Sequence, residues 1–187
     1  MELVGRVGDD RAGDALMIAL AHEGIGHLAM LRDPARPTPL HLPDAEPDDE
    51  VDPVLVPDGG EPGEVSRPQA VPDPVQAPVL EAADVALGLS YVPEFRVLVL
   101  TEDAPPEVLP ACVDGAGFSG AQLVVLLRAG LPVPDGLPAD TTLLEAPDAS
   151  DSFAALVGRF AAALDRGQPA ADAFAAALEA DWTHPKG

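Results

Sequence analysis

The stretch from Glu2 to Leu31 constrains this chain most, because its hydrophobic residues change period twice within it. Glu2 to Val7 is a short, largely apolar run that stops at Gly8-Asp9-Asp10. This is the pattern of a strand followed by a turn, with Asp9 or Asp10 placed to cap a helix. Ala15, Leu16, Ile18, Ala19, Leu20 and Ala21 then predict a helical apolar face that ends at Gly24 or Gly26. His27 to Leu31 reads as the next strand. A strand, a helix and a strand in so short a space form the parallel crossover unit.

The pattern breaks at Asp33. Between Pro34 and Pro78 lie 12 of the 22 prolines, and no Lys or Arg occurs between Arg36 and Arg67. Asp44, Glu46, Asp48, Asp49, Glu50, Asp52, Asp58, Glu61 and Glu64 all fall there. Proline removes ladder donors and like charges repel, so the stretch is expected to be an extended, solvated loop. Val51 and Val54 to Val56 are its one candidate for a short edge strand.

Regular structure returns near Val79. Ala83 to Leu89 and Arg96 to Leu100 are the next strand candidates. Pro105 and Pro106 open a helix running to about Ala116, with Pro110 placed to kink it or delay its start. Gln122 to Leu127 is almost continuously apolar, as a strand buried on both faces requires. Thr141 to Leu144 predicts another strand, and Ser152 to Leu164 and Pro169 to Ala180 predict two closing helices, separated by Arg166-Gly167. The expected fold is α/β: three layers, a mostly parallel sheet with helices on both faces. One domain spanning residues 1–187 is expected, interrupted by the acidic loop at about 33–78.

Charge narrows the partners. Thirty-two carboxylates face ten basic side chains, a net charge of −22. Such a chain repels phosphate backbones and anionic lipid over a Debye length of about 8–10 Å. Nucleic acid and membrane are therefore not expected partners; a small-molecule ligand and a second copy of the chain are. Acidity with a single lysine fits both a saline cytoplasm and a GC-rich genome. No apolar run approaches the roughly 18 residues of a membrane span, and Met1-Glu2-Leu3-Val4 lacks the basic, apolar start of a signal peptide. A cytoplasmic protein is expected. Cys112, the sole cysteine, sits between Ala111 and Val113 and reads as a buried thiol.

The segment Val4-Gly5-Arg6-Val7-Gly8-Asp9-Asp10-Arg11-Ala12-Gly13-Asp14-Ala15-Leu16, then Ala21-His22-Glu23-Gly24-Ile25, resembles the "VGxVGxDxxG…L…(E)GV" stretch of PfkB/ribokinase-type carbohydrate kinases. Arg32-Asp33-Pro34 and Pro37-Thr38 continue the likeness, and Ala83-Asp84-Val85 is similar to a recurring strand of that fold. Asp148-Ala149-Ser150-Asp151-Ser152-Phe153, followed by two helices, is similar to the family's "GAGDAF" ending. The resemblance implies a trimmed, Rossmann-like ribokinase core with Gly8, Asp9, Asp10 and Gly13 at the family turn. It also implies Asp151 as general base and Ala149 and Ser150 at the anion-hole position, where helix amides would face a transferred phosphoryl group. ATP and Mg2+ are the cofactors it implies if kinase chemistry survives; no other cofactor and no metal is expected.

The departures from the family pattern bear on that chemistry. Asp148 and Ser150 stand where the family has glycines, and Asp148 brings negative charge beside a phosphate position. The sequence contains no asparagine, hence no Asn-x-x-Glu motif. It begins at the strand of Gly5-Arg6-Val7-Gly8, without the family's preceding strand, substrate-binding Asp and "GG-K-x-x-N" segment, and the acidic stretch replaces the lid strands. The expectation is a PfkB-like protein with lost or residual kinase activity and a ligand- or partner-binding role. The alternatives are a divergent ATP-dependent sugar or nucleoside kinase, and a non-enzymatic module docking through its acidic loop.

Other constellations carry less. His22 and His27 are five apart across a helix end, off the four-residue spacing of HExxH. Asp48 to Asp52 lacks EF-hand spacing. Gly115-Ala116-Gly117 follows a helix rather than a strand and reads as its terminus. Ser90, Tyr91 and Thr101 have no partners for nucleophilic chemistry, and Trp182 belongs to a C-terminal tail.

Overall fold

The computed structural model describes residues 1–39, 77–92, 94–146 and 151–182. The strand reading at Val51 to Val56 and the acidic loop from 40 to 76 lie outside them. Strand β1 (Glu2–Gly8), helix α1 (Arg11–His22) and strand β2 (Gly26–Asp33) form the expected crossover unit, and the two strands pair in parallel. Asp10 is the N-cap, in extended conformation, and its side chain accepts a hydrogen bond from the Gly13 amide.

Strands β3 (Val97–Leu100), β4 (Gln122–Arg128) and β5 (Thr142–Ala146) form a second parallel sheet in that order. The chain is thus an α/β protein with parallel strands in two open sheets, where the sequence suggested one continuous sheet. Among the described residues no ladder joins the two. Helix α2 (Ala82–Ser90) links them through side chains instead. Its Gly88 lies against Val4 and Ala29 of the first sheet, while its Val85 belongs to the core of the second.

β4 explains its own apolar run. Leu123 and Val125 point into a cluster with Val85 of α2, Val108 of the 3₁₀ turn that precedes α3 (Leu109–Ser119), and Cys112 and Ala116 of α3 itself. Val124 and Leu126 point the other way, into a cluster with Val157, Phe160, Leu164 and Ala173 from α4 (Asp151–Asp165) and α5 (Ala170–Trp182). Successive strand residues face opposite sides, so a strand covered on both must be apolar throughout. Phe160 and Phe174 meet edge-to-face at 6.1 Å and tie α4 to α5.

Four readings change. Ala83 to Leu89 is not a strand but the body of α2. The Glu81 amide donates to Asp84 Oδ2 at 3.0 Å, which satisfies a donor at the helix start, and such reciprocal capping decides for a helix where a short apolar run is ambiguous. The likeness of Ala83-Asp84-Val85 to a family strand falls with it. Helix α1 packs through Gly13, Met17 and Leu20, so Leu16, Ile18, Ala15 and Ala19 of the expected apolar face are exposed. Gly115-Ala116-Gly117 lies inside α3, which ends at Gly120 in the left-handed conformation. Finally, the helix expected from Pro105 begins as a 3₁₀ turn, Pro106–Val108, before α3. Pro110 sits in the first turn of α3, where no amide donor is needed.

Among the described residues no helix is long and apolar enough to cross a membrane.

Candidate functional site

Ligands of open α/β sheets bind beyond the carboxyl ends of the strands, and the densest polar network among the described residues lies there. β1 ends at Gly8, β2 ends at Asp33, and the chain after β2 folds back so that Thr38 lies over the β1–α1 turn. The Gly8 amide donates to Thr38 Oγ1 at 2.9 Å. Thr38 Oγ1 donates to Asp10 Oδ1 at 2.9 Å, and the Thr38 amide donates to Asp10 Oδ2 at 2.7 Å. The Gly13 amide completes the set at 2.8 Å from Asp10 Oδ1. A single carboxylate therefore receives three donors from two segments, and the threonine relays a fourth.

These contacts explain the spacing Gly8-x-Asp10-x-x-Gly13. A Cβ on Gly8 would lie 2.5 Å from the Thr38 nitrogen and 2.7 Å from the Arg36 carbonyl oxygen. A Cβ on Gly13 would run into the Gly8 carbonyl oxygen. Backbone approaches this close admit only glycine. Hydrogen bonds from the Gly13 and Thr38 amides hold the Asp10 carboxyl below the usual carboxylate range, against a smaller opposing effect of burial.

Below the turn lies an ionic cluster. Arg6 Nη1 donates to Asp84 Oδ2 at 2.8 Å, and Arg6 Nε stands 3.5 Å from Asp33 Oδ2. Asp33 is buried, and its other oxygen accepts the Ala35 amide at 2.9 Å. Arg6 thus joins the β1 interior to the end of β2 and to α2. On the other side, Arg32 donates to Asp14 at 2.6 Å and lies 3.4 Å from Asp9. The Asp14 hydrogen bond raises the pKa of Arg32. At the ends of the second sheet, Arg128 donates to Asp103 at 2.7 Å, and Glu145 accepts from the Gly130 amide at 3.1 Å.

Of the residues singled out in the sequence, Gly8, Asp10 and Gly13 come together with Thr38, and Asp9 lies beside them on Arg32. Ala149 and Ser150, with Asp148, lie outside the described residues. Asp151 opens α4 directly after β5, and its side chain lies outside the description too. Arg6, Asp33 and Asp84 stand within the stretches of family likeness, but the sequence reading assigns them no role in the site. An arginine in the middle of an apolar strand was the available signal, because a charge that far inside needs an ionic partner.

The arrangement can lock backbone; it offers little to a phosphate. The amide end of α1 is occupied by its own carboxylate, and Asp9, Asp10 and Asp14 surround it with negative charge. His22 ends α1, and His27 Nδ1 lies 3.2 Å from the Ile25 carbonyl oxygen. Among the described residues no three His, Cys, Asp or Glu side chains converge as metal ligands do. Burial pushes the Cys112 thiol up to about 11. The described residues also form a groove of about 700 Å³ near Phe95, Arg96, Phe118 and Asp165, at the opposite, amino ends of the strands.

The chain matches no known family model, and no curated protein sequence matches it.

Proposed function

We propose that this chain is a relative of the PfkB/ribokinase-type kinases, with their three-layer α/β core, in which kinase activity is lost or residual and a ligand- or partner-binding role remains. One observation supports the reading above the others. Gly8, Asp10 and Gly13 belong to one stretch of the resemblance and Thr38 to a second, 30 residues from Gly8, and they close on each other in a single hydrogen-bonded lock. Segments that follow two adjacent parallel strands meet in any crossover unit, so the support lies in the lock being built from the residues that carry the two stretches of likeness.

The residues at the phosphoryl position support reduced activity. Asp148 and Ser150 stand where the family has glycines; their amides remain, but their side chains and the charge of Asp148 oppose the close approach of a phosphate, and a weakened oxyanion site typically costs ~10²–10³ in rate. The Asp10 lock serves structure, so the transfer chemistry of this reading falls to Asp151 at the start of α4.

Thermal unfolding with and without millimolar ATP and Mg2+ tests the reading. A ligand that binds only the native state raises the melting temperature by mass action. The expected result is no rise, or a small one with trace phosphate transfer to sugars that Asp151→Ala abolishes. A rise of many degrees with rapid turnover supports the divergent-kinase alternative instead.

A further inference from the structure

We infer that β1, α1 and β2 unfold together as one unit while the second sheet and its helices stay folded. Among the described residues eighteen apolar side chains are buried, and sixteen of them lie from Val85 to Ala177. Only Val7 and Ala29 belong to the first unit. The two core clusters, one on each side of β4, are likewise built without any residue from 1–39. Apolar burial is the main favourable term in folding, so its distribution decides where a chain opens first.

What holds the first unit is polar and internal. The β1–β2 ladder, the Asp10 lock on Gly13 and Thr38, and the Arg32 bond to Asp14 all join residues 2–38 to one another. These bonds tie strand to helix to strand, so the loss of one element strips the others of partners. Packing on the rest of the chain runs mainly through α2, by the Arg6–Asp84 pair at 2.8 Å and by Gly88 against Val4 and Ala29. Helix α2 has a second anchorage. Its Val85 is 3% exposed inside the second core, and Leu80 and Leu89 pack against the same cluster, so α2 stays when the first unit leaves. A β-α-β unit of fewer than about 40 residues does not stand alone, so leaving means unfolding. The Asp10–Thr38 lock is thereby part of an order–disorder element. A ligand held at the carboxyl ends of β1 and β2 would shift it toward the folded form by mass action.

Native-state hydrogen exchange of the full chain at rising, sub-denaturing urea tests this amide by amide. The slowest amides of β1, α1 and β2 should share one opening constant, at least ~10-fold larger than that of β4, about 1.4 kcal/mol. Their exchange should also depend less steeply on urea, because less surface is exposed. Two variants separate this from a single cooperative fold. Val157 lies in the cluster on the side of β4 away from α2. Val157→Ala weakens the folded and the half-open states alike, so it should speed exchange in β4 several-fold and leave β1 and β2 unchanged. Arg6→Met weakens only the fully folded state, so it should speed exchange in both regions by the same factor. Equal opening constants in β1 and β4 overturn the inference. So do separate constants for β1, α1 and β2, a β1 that follows Val157→Ala, or a β1 indifferent to Arg6→Met.

Discussion

Thr38 gives both of its donors to the two oxygens of Asp10, 2.7 Å from its amide and 2.9 Å from its hydroxyl. The hydroxyl at the same time accepts the Gly8 amide at 2.9 Å. The turn after β1 and the segment after β2 are therefore held by one carboxylate, and the ionisation of that carboxylate should show in stability. Its folded pKa lies below the ordinary value of 3.8. A group depressed on folding contributes stability that is present above its unfolded pKa and lost as pH falls through its folded pKa. Thermal melts of the native chain should thus fall in temperature below about pH 4. Asp10→Asn, which sets an amide donor against donors, should flatten that part of the profile and cost about 1–2 kcal/mol at pH 7.

Thr38→Val separates the hydroxyl from the backbone. The variant keeps shape and the amide bond to Asp10 but leaves the Gly8 amide without its acceptor. A buried donor left unpaired costs about 1–3 kcal/mol, and denaturant melts should show a loss of that size. Thr38→Ser, which keeps the relay, should lose well under half as much.

Arg6 is held differently, as a charge between two carboxylates. Its side chain is 22% exposed, Asp33 is 7% exposed and Asp84 17%. This places the cluster between exposed pairs, worth little, and buried ones, whose breaking costs about 3–5 kcal/mol. Arg6→Met, which keeps the stem, should destabilise by roughly 1–3 kcal/mol. In a double-mutant cycle on urea melts, Arg6→Met and Asp84→Asn should fall short of additivity, since the second change removes a charge the first has stranded.

How far the sequence announces all this depends on whether the signal is local. β1, α1 and β2 are legible because an apolar run, a capping aspartate and a helical period follow one another within the first 33 residues. β4 is legible because burial on both faces leaves Leu123 to Leu127 apolar. Residues 82–90 are not, since Ala, Val, Leu and Gly in so short a run suit either structure, and the deciding Glu81–Asp84 cap hides among many acids. The outward turn of Ile18 is equally hidden. Nearly every residue from Ala15 to Ala21 is apolar, so the period cannot say which side the sheet will take. In the site, Asp10 announces itself as a candidate helix cap and Gly8 and Gly13 through the family likeness, whereas Arg6, Asp33 and Asp84 meet only through the fold, 78 residues separating the first from the last.

Cys112 should be inert while the chain is folded. The thiol is buried and its pKa is pushed up to about 11, leaving about one part in a thousand as thiolate at pH 8. Reaction with an aromatic disulfide at pH 8 should be slower by ~10²-fold or more in the native chain than in 6 M guanidinium. Comparable rates would mean that α3 opens readily from β4.

Two helical glycines should respond to alanine with opposite signs. Helix propensity favours alanine at each by about 1 kcal/mol, so the neighbours decide. At Gly88 a Cβ would stand 2.6 Å from Val4 Cγ1 and 3.4 Å from Ala29 Cβ. Val4 is β-branched, so its χ1 is stiff, and it sits in β1 under α2. α2 must lift from the first sheet, at a cost of about 1–3 kcal/mol that exceeds the propensity gain. At Gly115 the obstructing atom is Leu89 Cδ1, the far end of a flexible side chain, and the next atom is 3.7 Å away. Leu89 can rotate aside. Urea melts should therefore show Gly88→Ala destabilised by about 1 kcal/mol and Gly115→Ala unchanged or more stable by a few tenths. Val4→Ala should restore part of the Gly88→Ala loss, because it removes the methyl that the new Cβ meets. A Gly88→Ala chain as stable as the native one would mean that α2 does not rest on Val4 in solution.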